Sequence, residues 1–366
     1  MKHKFLFLIT KGDNIGGAQI YVKELAIQLS NDGHEVIVAM GTNGELNHQL
    51  LHHNITTKIV KNLETSIHPW KDVKVIFELK RLIAEVKPDL VCINSSKSGI
   101  VGRIACYLAK TKNVFVVHGW SYTNGLPFLK IVAFKLIEKI LRKYSGYWIC
   151  VSEFDFELGK KSKTIYPEKT KVIKNGISDK KIKTQSFNES DLTKIIFIAR
   201  HDHQKDHRTL FEAIKDIEGI ELLLLGDGPL LEKNQHFAKQ LNIESKVQFL
   251  GFQSSVDAYL SESQIFVLVS NWEGFPISTL EAMSAGLPII VTDVGGAGEA
   301  ITNGVEGFVI KKGDSQSLKE KIEYLQKNKE VRQNMGKAAR ATYEAHYTFN
   351  HMYQKTLHYF QTIINN

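Results

Sequence analysis

Two glutamates that lie eight residues apart give the clearest sign of chemistry in this sequence. Glu273 follows the apolar run 265–270, and Glu281 comes after Pro276 in a segment whose apolar residues recur at helical spacing. This pattern predicts a buried strand, a helix that begins near Pro276 and a second buried strand, which together make a β-α-β unit. A carboxylate accepts two hydroxyl hydrogen bonds well, which suits a sugar or a ribose diol. The alternative is an ordinary helix with an acidic first turn and solvated glutamates.

The start of this predicted helix is expected to bind an anion. Ligands of β-α-β units bind at the carboxyl ends of the strands, and the free N–H groups of a helix N-terminus attract negative charge. We therefore expect a phosphate beside the backbone of Phe275, Pro276 and Ile277. Glu273 lies in the loop and Glu281 on the helix, so the two are not i,i+4 partners and should contact different parts of one ligand.

A second group of polar residues follows the first two predicted strands of the chain's second half. Arg200 and Lys205 come after the first of these strands, where two cations can hold a diphosphate and stabilise negative charge as it leaves. Gly226, Asp227 and Gly228 follow the next strand, and a turn of this kind lets backbone groups meet a planar base. A plain strand-to-helix turn needs the same residues, so the turn is also expected without a ligand.

The first half of the chain has glycines and a histidine at the ends of predicted strands. Gly16 and Gly17 follow the first strand and open the first helix, where the absence of side chains permits close approach of a phosphate or sugar. They do not complete G-x-G-x-x-G, so a nicotinamide site is poorly supported. His118 ends another predicted strand, at the edge where ligands bind, although a single histidine is more often structural.

The sequence does not favour a metal centre. His201, His203 and His207 lack cysteines or carboxylates at metal-binding spacing, so we interpret them as polar residues of a loop. The chain has no Asp-x-Asp, which hard Mg²⁺ or Mn²⁺ ions beside phosphates normally need. We expect a reaction that requires neither a metal nor another cofactor.

The elements that must position these residues alternate along the whole chain. Apolar runs and amphipathic segments follow one another in both halves, which predicts an α/β protein with parallel sheets. With 366 residues, of which 43% are hydrophobic, the chain is long enough for two domains with cores of their own. The polar segment 177–191 is typical of a linker, so we predict domains over 1–185 and 186–346. A last helix over about 347–364 could pack on either domain.

The charge of the chain is unevenly divided. Lys and Arg against Asp and Glu number 29 to 16 in residues 1–185 and 18 to 23 in residues 186–366, which gives +13 and −5. We expect the basic half to face an anionic partner such as a lipid headgroup, with solubility alone as the alternative. The basic amphipathic segment 128–143 is expected to pack its apolar residues on a sheet and to leave an outer face available for anionic lipid. Nucleic acid is not expected, because no binding motif accompanies the charge.

Other features indicate a cytosolic protein, at most peripheral on the inner face of the cell membrane. Residues 1–10 contain only a short apolar run, which predicts a first strand and not a signal peptide. No stretch approaches 18 uninterrupted apolar residues, so a transmembrane helix is not expected. Cys92, Cys106 and Cys150 occur in apolar contexts and are expected to be buried thiols.

The spacing of Glu273 and Glu281 within EGFPISTLEAMSAGLPIIVTDVGG resembles the nucleotide-sugar site of family 4 glycosyltransferases, which are retaining enzymes of the GT-B fold. The resemblance extends over nearly the whole chain and is strongest over 195–299. It implies two Rossmann-like domains that face each other across a cleft. It also implies a C-terminal helix that crosses back, so that residues 347–366 pack on the first domain.

The resemblance also implies a role for each candidate residue. The residues that act on the reacting groups would be Arg200, Lys205, Glu273 and His118. The residues that bind the donor would be Gly16, Gly17, Gly226, Asp227, Gly228, Phe275, Pro276, Ile277 and Glu281. The acceptor side would include Asn94, Ser95, Ser96 and Asn175. The family usually has Gly where this chain has Ala199, and a histidine within the segment that reads INSSKSG here, which leaves the acceptor open.

The activity implied is transfer of a hexose or an N-acetylhexosamine from a nucleotide-diphosphate sugar, expected to be a UDP-sugar. The acceptor would be a hydroxyl of a lipid-linked saccharide in the synthesis of a bacterial capsule, O-antigen or exopolysaccharide. The acceptor would attack the face from which the nucleotide departs, which retains the anomeric configuration. Two alternatives stay open: a UDP-sugar 2-epimerase on the same fold, and a non-catalytic nucleotide-binding partner subunit.

Overall fold

The computed structural model describes residues 2–13, 15–66, 68–123, 127–182 and 192–366. These residues form two compact units, one made of Met1–Lys174 with Tyr353–Asn366 and the other of Asn175–Met352. The chain thus enters the second unit after residue 174, where the sequence predicted 185, and leaves it after residue 352, where the sequence predicted 346.

Backbone pairing explains why the second unit begins early. The Ile177 N–H donates to the Tyr347 carbonyl at 3.1 Å, and the Phe349 N–H donates to the Ile177 carbonyl at 2.7 Å. The phenol of Tyr343 donates to the same carbonyl of Ile177 at 2.9 Å. The start of the predicted linker is therefore held in the second unit by residues far along the chain, which sequence pattern does not reveal.

Within the described residues, the first unit holds a seven-stranded parallel sheet. Its strands are β1 (Lys4–Ile9), β2 (Glu35–Met40), β3 (Thr56–Ile59), β4 (Leu90–Asn94), β5 (Asn113–Val117), β6 (Tyr147–Cys150) and β7 (Thr170–Val172). Their order in the sheet is β3-β2-β1-β4-β5-β6-β7. The helices are α1 (Gly17–Asn31), α2 (Glu45–His52), α3 (Pro69–Val86), α4 (Ser96–Ala109), α5 (Phe128–Leu141) and α6 (Glu153–Ser162). The direction of winding reverses between β1 and β4, which is where open α/β sheets bind ligands.

The second unit repeats this plan with a six-stranded parallel sheet among its described residues. Its strands are β8 (Thr193–Ile198), β9 (Ile220–Leu225), β10 (Val247–Gly251), β11 (Ile265–Leu268), β12 (Ile289–Thr292) and β13 (Gly307–Ile310). Their order is β10-β9-β8-β11-β12-β13, so the winding reverses between β8 and β11. The helices are α7 (His207–Ile214), α8 (Leu231–Gln240), α9 (Asp257–Ser261), α10 (Ile277–Ser284), α11 (Ser315–Lys327) and α12 (Lys329–His346).

The last helix, α13 (Phe349–Asn365), returns to the first unit from Tyr353 onwards, as the resemblance implied. The ring of Phe360 lies 5.6 Å from that of Phe5 on β1, between centroids. The phenol of Tyr359 donates to the carbonyl of Lys169 at 2.7 Å. The aromatic residues of the tail therefore complete the core of the first unit.

Three elements were not predicted, namely α2, β3 and β13. Strand β3 lies at the edge of its sheet and is mostly exposed, so its sequence, TTKI, lacks the apolar run of a buried strand. Strand β13 begins at Gly307, where a Cβ atom would lie only 1.8 Å from the carbonyl oxygen of Ile289. Its pairing with β12 thus depends on a glycine, a residue that in sequence predicts a turn.

Cys92, Cys106 and Cys150 are buried free thiols, which confirms the prediction. Within the described ranges, no helix combines the length and the apolar character needed to cross a membrane.

Candidate functional site

The loops after β8 and β11 meet at the point where the winding of the second sheet reverses. Lys205 forms an isolated antiparallel bridge with Ser270, and the Asp206 N–H donates to the Val269 carbonyl at 3.0 Å. The Asn271 N–H donates to the Gln204 carbonyl at 2.7 Å. A predicted cation and a predicted carboxylate, 68 residues apart in sequence, are thereby brought into contact.

Glu273 is a buried carboxylate whose oxygens already accept three hydrogen bonds. The ammonium of Lys205 and the hydroxyl of Ser270 donate to Oε1, the latter at 2.6 Å. Gln204 Nε2 donates to Oε2 at 3.0 Å. A carboxylate offers about four acceptor positions, so Glu273 can accept one ligand hydroxyl at Oε2 without losing a protein partner. The predicted pair of sugar hydroxyls would displace one of these donors.

The glycine turn after β12 fixes the position of the Glu273 backbone. Gly295 has a φ of +58°, and a Cβ atom there would lie 1.9 Å from the carbonyl oxygen of Glu273. A side chain at this position would force the Glu273 loop to move. Gln204, Ser270 and Gly295 are thus site residues to which the sequence analysis assigned no role, because only the folded sheet places them beside Glu273.

The two predicted cations differ in their surroundings. Lys205 is largely buried and committed to Glu273. The side chain of Arg200 is 65% exposed, and its Nε lies 3.7 Å from Asp202 Oδ2. Arg200 is therefore the cation with freedom to reach an anionic ligand, whereas Lys205 balances a buried negative charge.

The start of α10 lies beside this pair of loops. Pro276 is the N-cap residue with an extended backbone, and Ile277 is the first helical residue. Asn175 is buried, and its Nδ2 donates to the Phe275 carbonyl at 2.8 Å. We grouped Asn175 with the acceptor side, but the structure places it in the second unit against the predicted diphosphate loop. Its Oδ1 is buried and has no hydrogen-bond partner among the described residues.

Glu281 lies on α10 in an environment unlike that of Glu273. No hydrogen-bond donor of the described residues contacts its carboxylate. Burial raises the pKa of Glu281 to about 7, while nearby Lys180 lowers it and Asp257 raises it. The carboxyl is therefore partly protonated at neutral pH and gains from a ligand that supplies hydrogen-bond donors.

The turn after β9 packs closely against the residues that follow β8. Gly226 has a φ of +141°, and a Cβ atom there would lie 2.0 Å from the Ala199 carbonyl oxygen. The His201 N–H donates to the Asp227 carbonyl at 3.0 Å. Gly228 is equally confined, since a Cβ atom would lie 2.4 Å from the His201 carbonyl oxygen. The turn is thus held next to Arg200 at the carboxyl edge of the sheet.

The interpretation of the three histidines as loop polarity is wrong for two of them. His203 is exposed, but His201 and His207 are buried and stack with ring centroids 4.3 Å apart. Burial lowers the pKa of His207 to about 3, so this ring is neutral. Among the described residues, no group of three or more potential ligands could hold a metal ion.

In the first unit, the predicted acceptor residues lie where the winding reverses between β1 and β4. Ser95 has a φ of +117°, and its hydroxyl is 2.7 Å from that of Thr10 and 2.8 Å from that of Ser98. Ser96 is the exposed first residue of α4. Ser95 is therefore fixed by its neighbours, while Ser96 is open to solvent.

His118 and Asn94 are brought together at the ends of the paired strands β4 and β5. His118 Nε2 lies 3.2 Å from Asn94 Oδ1, and the imidazole packs edge-on against Tyr21 with centroids 5.0 Å apart. Burial lowers the pKa of His118 to about 4, so the ring is neutral at pH 7. Because an amide oxygen only accepts, the proton resides on Nε2 and Nδ1 is left with a lone pair. This suits a hydrogen bond from a sugar hydroxyl.

Gly16 and Gly17 form the start of α1. Gly16 is the N-cap, and its N–H donates to the side chain of Gln19 at 3.2 Å. Part of the predicted phosphate-binding backbone is therefore engaged by the helix itself.

Comparison with known proteins decides the family. The model named Glycosyltransferase Family 4 matches residues 15–181, and the model named Glycosyl transferases group 1 matches residues 178–342. The chain is 31% identical over 278 residues to UDP-Gal:alpha-D-GlcNAc-diphosphoundecaprenol alpha-1,3-galactosyltransferase of Escherichia coli, which covers 71% of this chain and 72% of that protein. The chain belongs to glycosyltransferase family 4. It is a transferase enzyme.

The relatives of this chain differ in the acceptors that their names specify. The chain is also 28% identical over 349 residues to N-acetyl-alpha-D-glucosaminyl L-malate synthase of Bacillus anthracis, which covers 91% of this chain and 90% of that protein. Among solved structures, HepE of Anabaena in complex with UDP and glucose superimposes with a TM-score of 0.87 at 20% identity and covers 98% of this chain and 100% of that chain. This likeness shows that the present family 4 enzyme has the GT-B fold.

Proposed function

We propose that this family 4 enzyme transfers a hexose or an N-acetylhexosamine from a UDP-sugar to a hydroxyl of a lipid-linked saccharide, with retention of the anomeric configuration. The observation that carries the proposal is the meeting of the loops after β8 and β11. Together with the start of α10, they gather a solvent-accessible cation, a buried carboxylate and free backbone N–H groups at one edge of the sheet. A diphosphate and the sugar attached to it need these three kinds of group.

The proposed mechanism forms no covalent sugar–enzyme intermediate. Glu273 makes three hydrogen bonds, one of them to an ammonium, so its carboxylate is a poor nucleophile. The acceptor oxygen attacks the anomeric carbon from the side on which the bond to the diphosphate breaks, and a departing phosphate oxygen takes the acceptor's proton. Arg200 and the N-terminus of α10 stabilise the charge that develops on the diphosphate. No metal or other cofactor takes part in this scheme.

The lipid-linked acceptor is supported by the Escherichia coli relative, whose name specifies a diphosphoundecaprenol-linked sugar. We assign the reaction to the cytoplasmic face of a bacterial cell membrane, in the synthesis of a surface polysaccharide such as capsule, O-antigen or exopolysaccharide. A small hydroxylated acid is the alternative acceptor, because another relative is named for L-malate.

The donor is tested by thermal unfolding with UDP, GDP, ADP and their sugar conjugates, in EDTA throughout. A ligand at 100 times its dissociation constant adds about 2.7 kcal/mol to the unfolding free energy. We expect UDP and one UDP-sugar to raise the melting temperature. If no nucleotide does so, the assignment of the β8–β11 edge as a donor site is wrong.

The acceptor is tested by incubating the stabilising UDP-sugar with a polyprenyl-diphosphate sugar or with L-malate. Label in the organic phase supports the lipid-linked acceptor, and label on malate contradicts it. Conversion of the donor to its C2 epimer without any acceptor would replace the transferase proposal by that of an epimerase. The stereochemistry of the product, read from its anomeric NMR coupling, tests retention.

A further inference from the structure

Helix α5 of the first unit turns large apolar side chains towards solvent. Five of them are between 47% and 80% exposed: Phe128, Leu129, Val132, Leu136 and Ile140. The four residues at 128, 132, 136 and 140 are spaced four apart, so they form one stripe along the helix. A crossover helix that covers a parallel sheet normally presents polar residues on this side.

Other residues of α5 form the face that packs against the core of the first unit. Ile131 and Phe134 pack against the core cluster of the first unit, and Leu141 is buried. Glu138 is buried in an ion pair with Arg103 of α4, with Oε2 and Nη2 2.8 Å apart. The expectation that the apolar residues of this segment pack on the sheet is therefore wrong for the outer stripe. Within the described part of the first unit, packing does not explain why these residues are apolar.

The surroundings of the stripe are cationic. Lys130, Lys139 and Lys143 are exposed beside it. The segment 127–146 contains a single acidic residue, Glu138, whose charge is already neutralised in the core. The surface thus combines exposed apolar side chains with lysines and no exposed carboxylate of its own segment, which is the pattern of helices that bind anionic lipid.

We propose that α5 docks the enzyme on an anionic lipid bilayer, with its outer stripe inserted among the headgroups and first acyl carbons. A helix of 14 residues is about 21 Å long, shorter than the roughly 30 Å hydrocarbon core, so it lies along the interface instead of crossing it. The lysines beside the stripe contact the anionic headgroups. The inference adds to the proposed function the surface that would bring the enzyme to a lipid-linked acceptor, but it depends only on the exposed residues of α5.

The test is flotation of the whole protein with vesicles of phosphatidylcholine alone or with 40% phosphatidylglycerol. We expect binding to the anionic vesicles and at least tenfold weaker binding to the neutral ones. Replacing Lys130 and Lys139 by Gln should weaken binding to the anionic vesicles about fivefold for each charge removed. Equal binding to both kinds of vesicle would contradict the electrostatic part of the proposal.

A matched pair of variants tests insertion of the stripe. Val132→Gln with Leu136→Gln removes two exposed apolar side chains of α5, whereas Leu192→Gln with Val305→Gln makes the same chemical change at exposed positions of the second unit. Neither alters net charge or a buried side chain, so both proteins should fold. We expect the first variant to bind anionic vesicles at least tenfold more weakly and the second to bind like the parent. An equal loss of vesicle binding in both variants, or no loss in either, would overturn the proposal.

A fluorescence measurement gives a direct readout of depth. The native thiols are buried, so Leu129→Cys can be labelled selectively with an environment-sensitive dye. Emission should rise and shift to the blue on anionic vesicles. An unchanged spectrum on vesicles that bind the protein would place the contact elsewhere.

A second copy of the chain is the other occupant to be tested. Sedimentation without lipid should show a monomer, and a dimer that the Val132→Gln, Leu136→Gln variant dissociates would assign the face to self-association instead. The thermal shift with UDP reports on the second unit and should be unchanged in all α5 variants, so failure of this inference is distinguishable from failure of the donor assignment.

Discussion

At the scale of single residues, the pairing of Lys205 with Glu273 determines what each can do. Both side chains are largely buried, so each charge depends on the other for stabilisation that water would otherwise supply. Replacing both members of a buried ion pair by neutral groups is often tolerated, whereas removing one leaves an uncompensated charge. The pair therefore contributes to the fold, independently of the role proposed for Glu273 at the donor site.

Lys205→Met should lower the free energy of unfolding by about 3 to 5 kcal/mol, because the Glu273 charge is left buried and unpaired. Adding Glu273→Gln to the same protein should restore most of this stability without restoring transfer. Urea unfolding of the parent, the single variant and the double variant measures both effects. Full stability of the single variant would show that the pair is not formed in solution.

Arg200→Ala should behave differently, because the Arg200 side chain is exposed and has one distant ionic neighbour. We expect unchanged stability and a loss of about 2 to 4 kcal/mol in transition-state stabilisation, seen in kcat with the preferred donor. The measurement is steady-state transfer, with the melting temperature as the control. Unchanged turnover would remove Arg200 from the mechanism.

Glu281→Gln should make the protein more stable and lower its affinity for the donor. The pKa of Glu281 is raised by burial to about 7, above its unfolded value, so the folded state loses stability as pH rises from about 4.5 through 7. At pH 8 the neutral amide should add about 1 to 3 kcal/mol to the unfolding free energy, and this gain should vanish near pH 4. Thermal unfolding at the two pH values measures it, and an equal gain at both would contradict the assigned cause.

The raised pKa of the Glu281 carboxyl also predicts how the affinity for UDP depends on pH. If the ionised carboxylate accepts the ribose hydroxyls, affinity for UDP should fall about tenfold from pH 8 to pH 6, since a pKa of about 7 leaves most carboxyls protonated at pH 6. Calorimetric titration of the parent and of Glu281→Gln separates this effect from the titration of UDP itself. Identical pH profiles would argue against ribose binding by Glu281.

At the scale of elements, the turn after β12 is a support for the loop that carries Glu273. Gly295→Ala should reduce transfer by at least tenfold and also lower stability, because the added methyl group collides with the Glu273 carbonyl in a backbone conformation that suits glycine. Gly298→Ala in the same turn is the matched control, since its nearest neighbour would be at an ordinary 3.5 Å. Transfer rates and melting temperatures of the two variants should diverge; similar values for both would rule out a supporting role of the turn.

At the scale of the whole molecule, both units hold neutral histidines whose pKa burial lowers, to about 4 for His118 and about 3 for His207. The unfolded chain takes up protons at these sites below about pH 6.5, while the folded state does so only at lower pH. Stability that is fully present above pH 6.5 is therefore lost as pH falls towards 4.

Between pH 7 and pH 5 this loss should reach about 2 kcal/mol for His207 and about 1 to 2 kcal/mol for the partly exposed His118. Unfolding by urea at pH 7, 6 and 5 measures it. His207→Phe should remove its share of the pH dependence, whereas replacing the exposed His52 should not. A His207→Phe protein whose stability falls with pH as much as that of the parent would show that the His207 ring has an ordinary pKa in the folded state.

The sequence by itself determined the class of most elements, with α2, β3 and β13 as exceptions, and it indicated the candidate site residues. Strands buried on both faces must be apolar throughout, so runs such as 265–268 are visible without a structure. The spacing from Glu273 to Glu281 across a proline-started helix was equally local. It indicated the family that the comparisons confirm, together with its GT-B fold.

Tertiary structure decided which of these local pieces meet. The order of strands places β8 beside β11, and this joins Lys205 to Glu273 and adds Gln204 and Ser270 around the carboxylate. Contacts between residues far apart in sequence depend on strand order, which local patterns do not encode. For α5, apolar residues occur on more than one side of the helix, so periodicity alone could not tell which side packs. Only the folded first unit shows that Ile131 and Phe134 face the core while Leu129 and Leu136 are left to solvent.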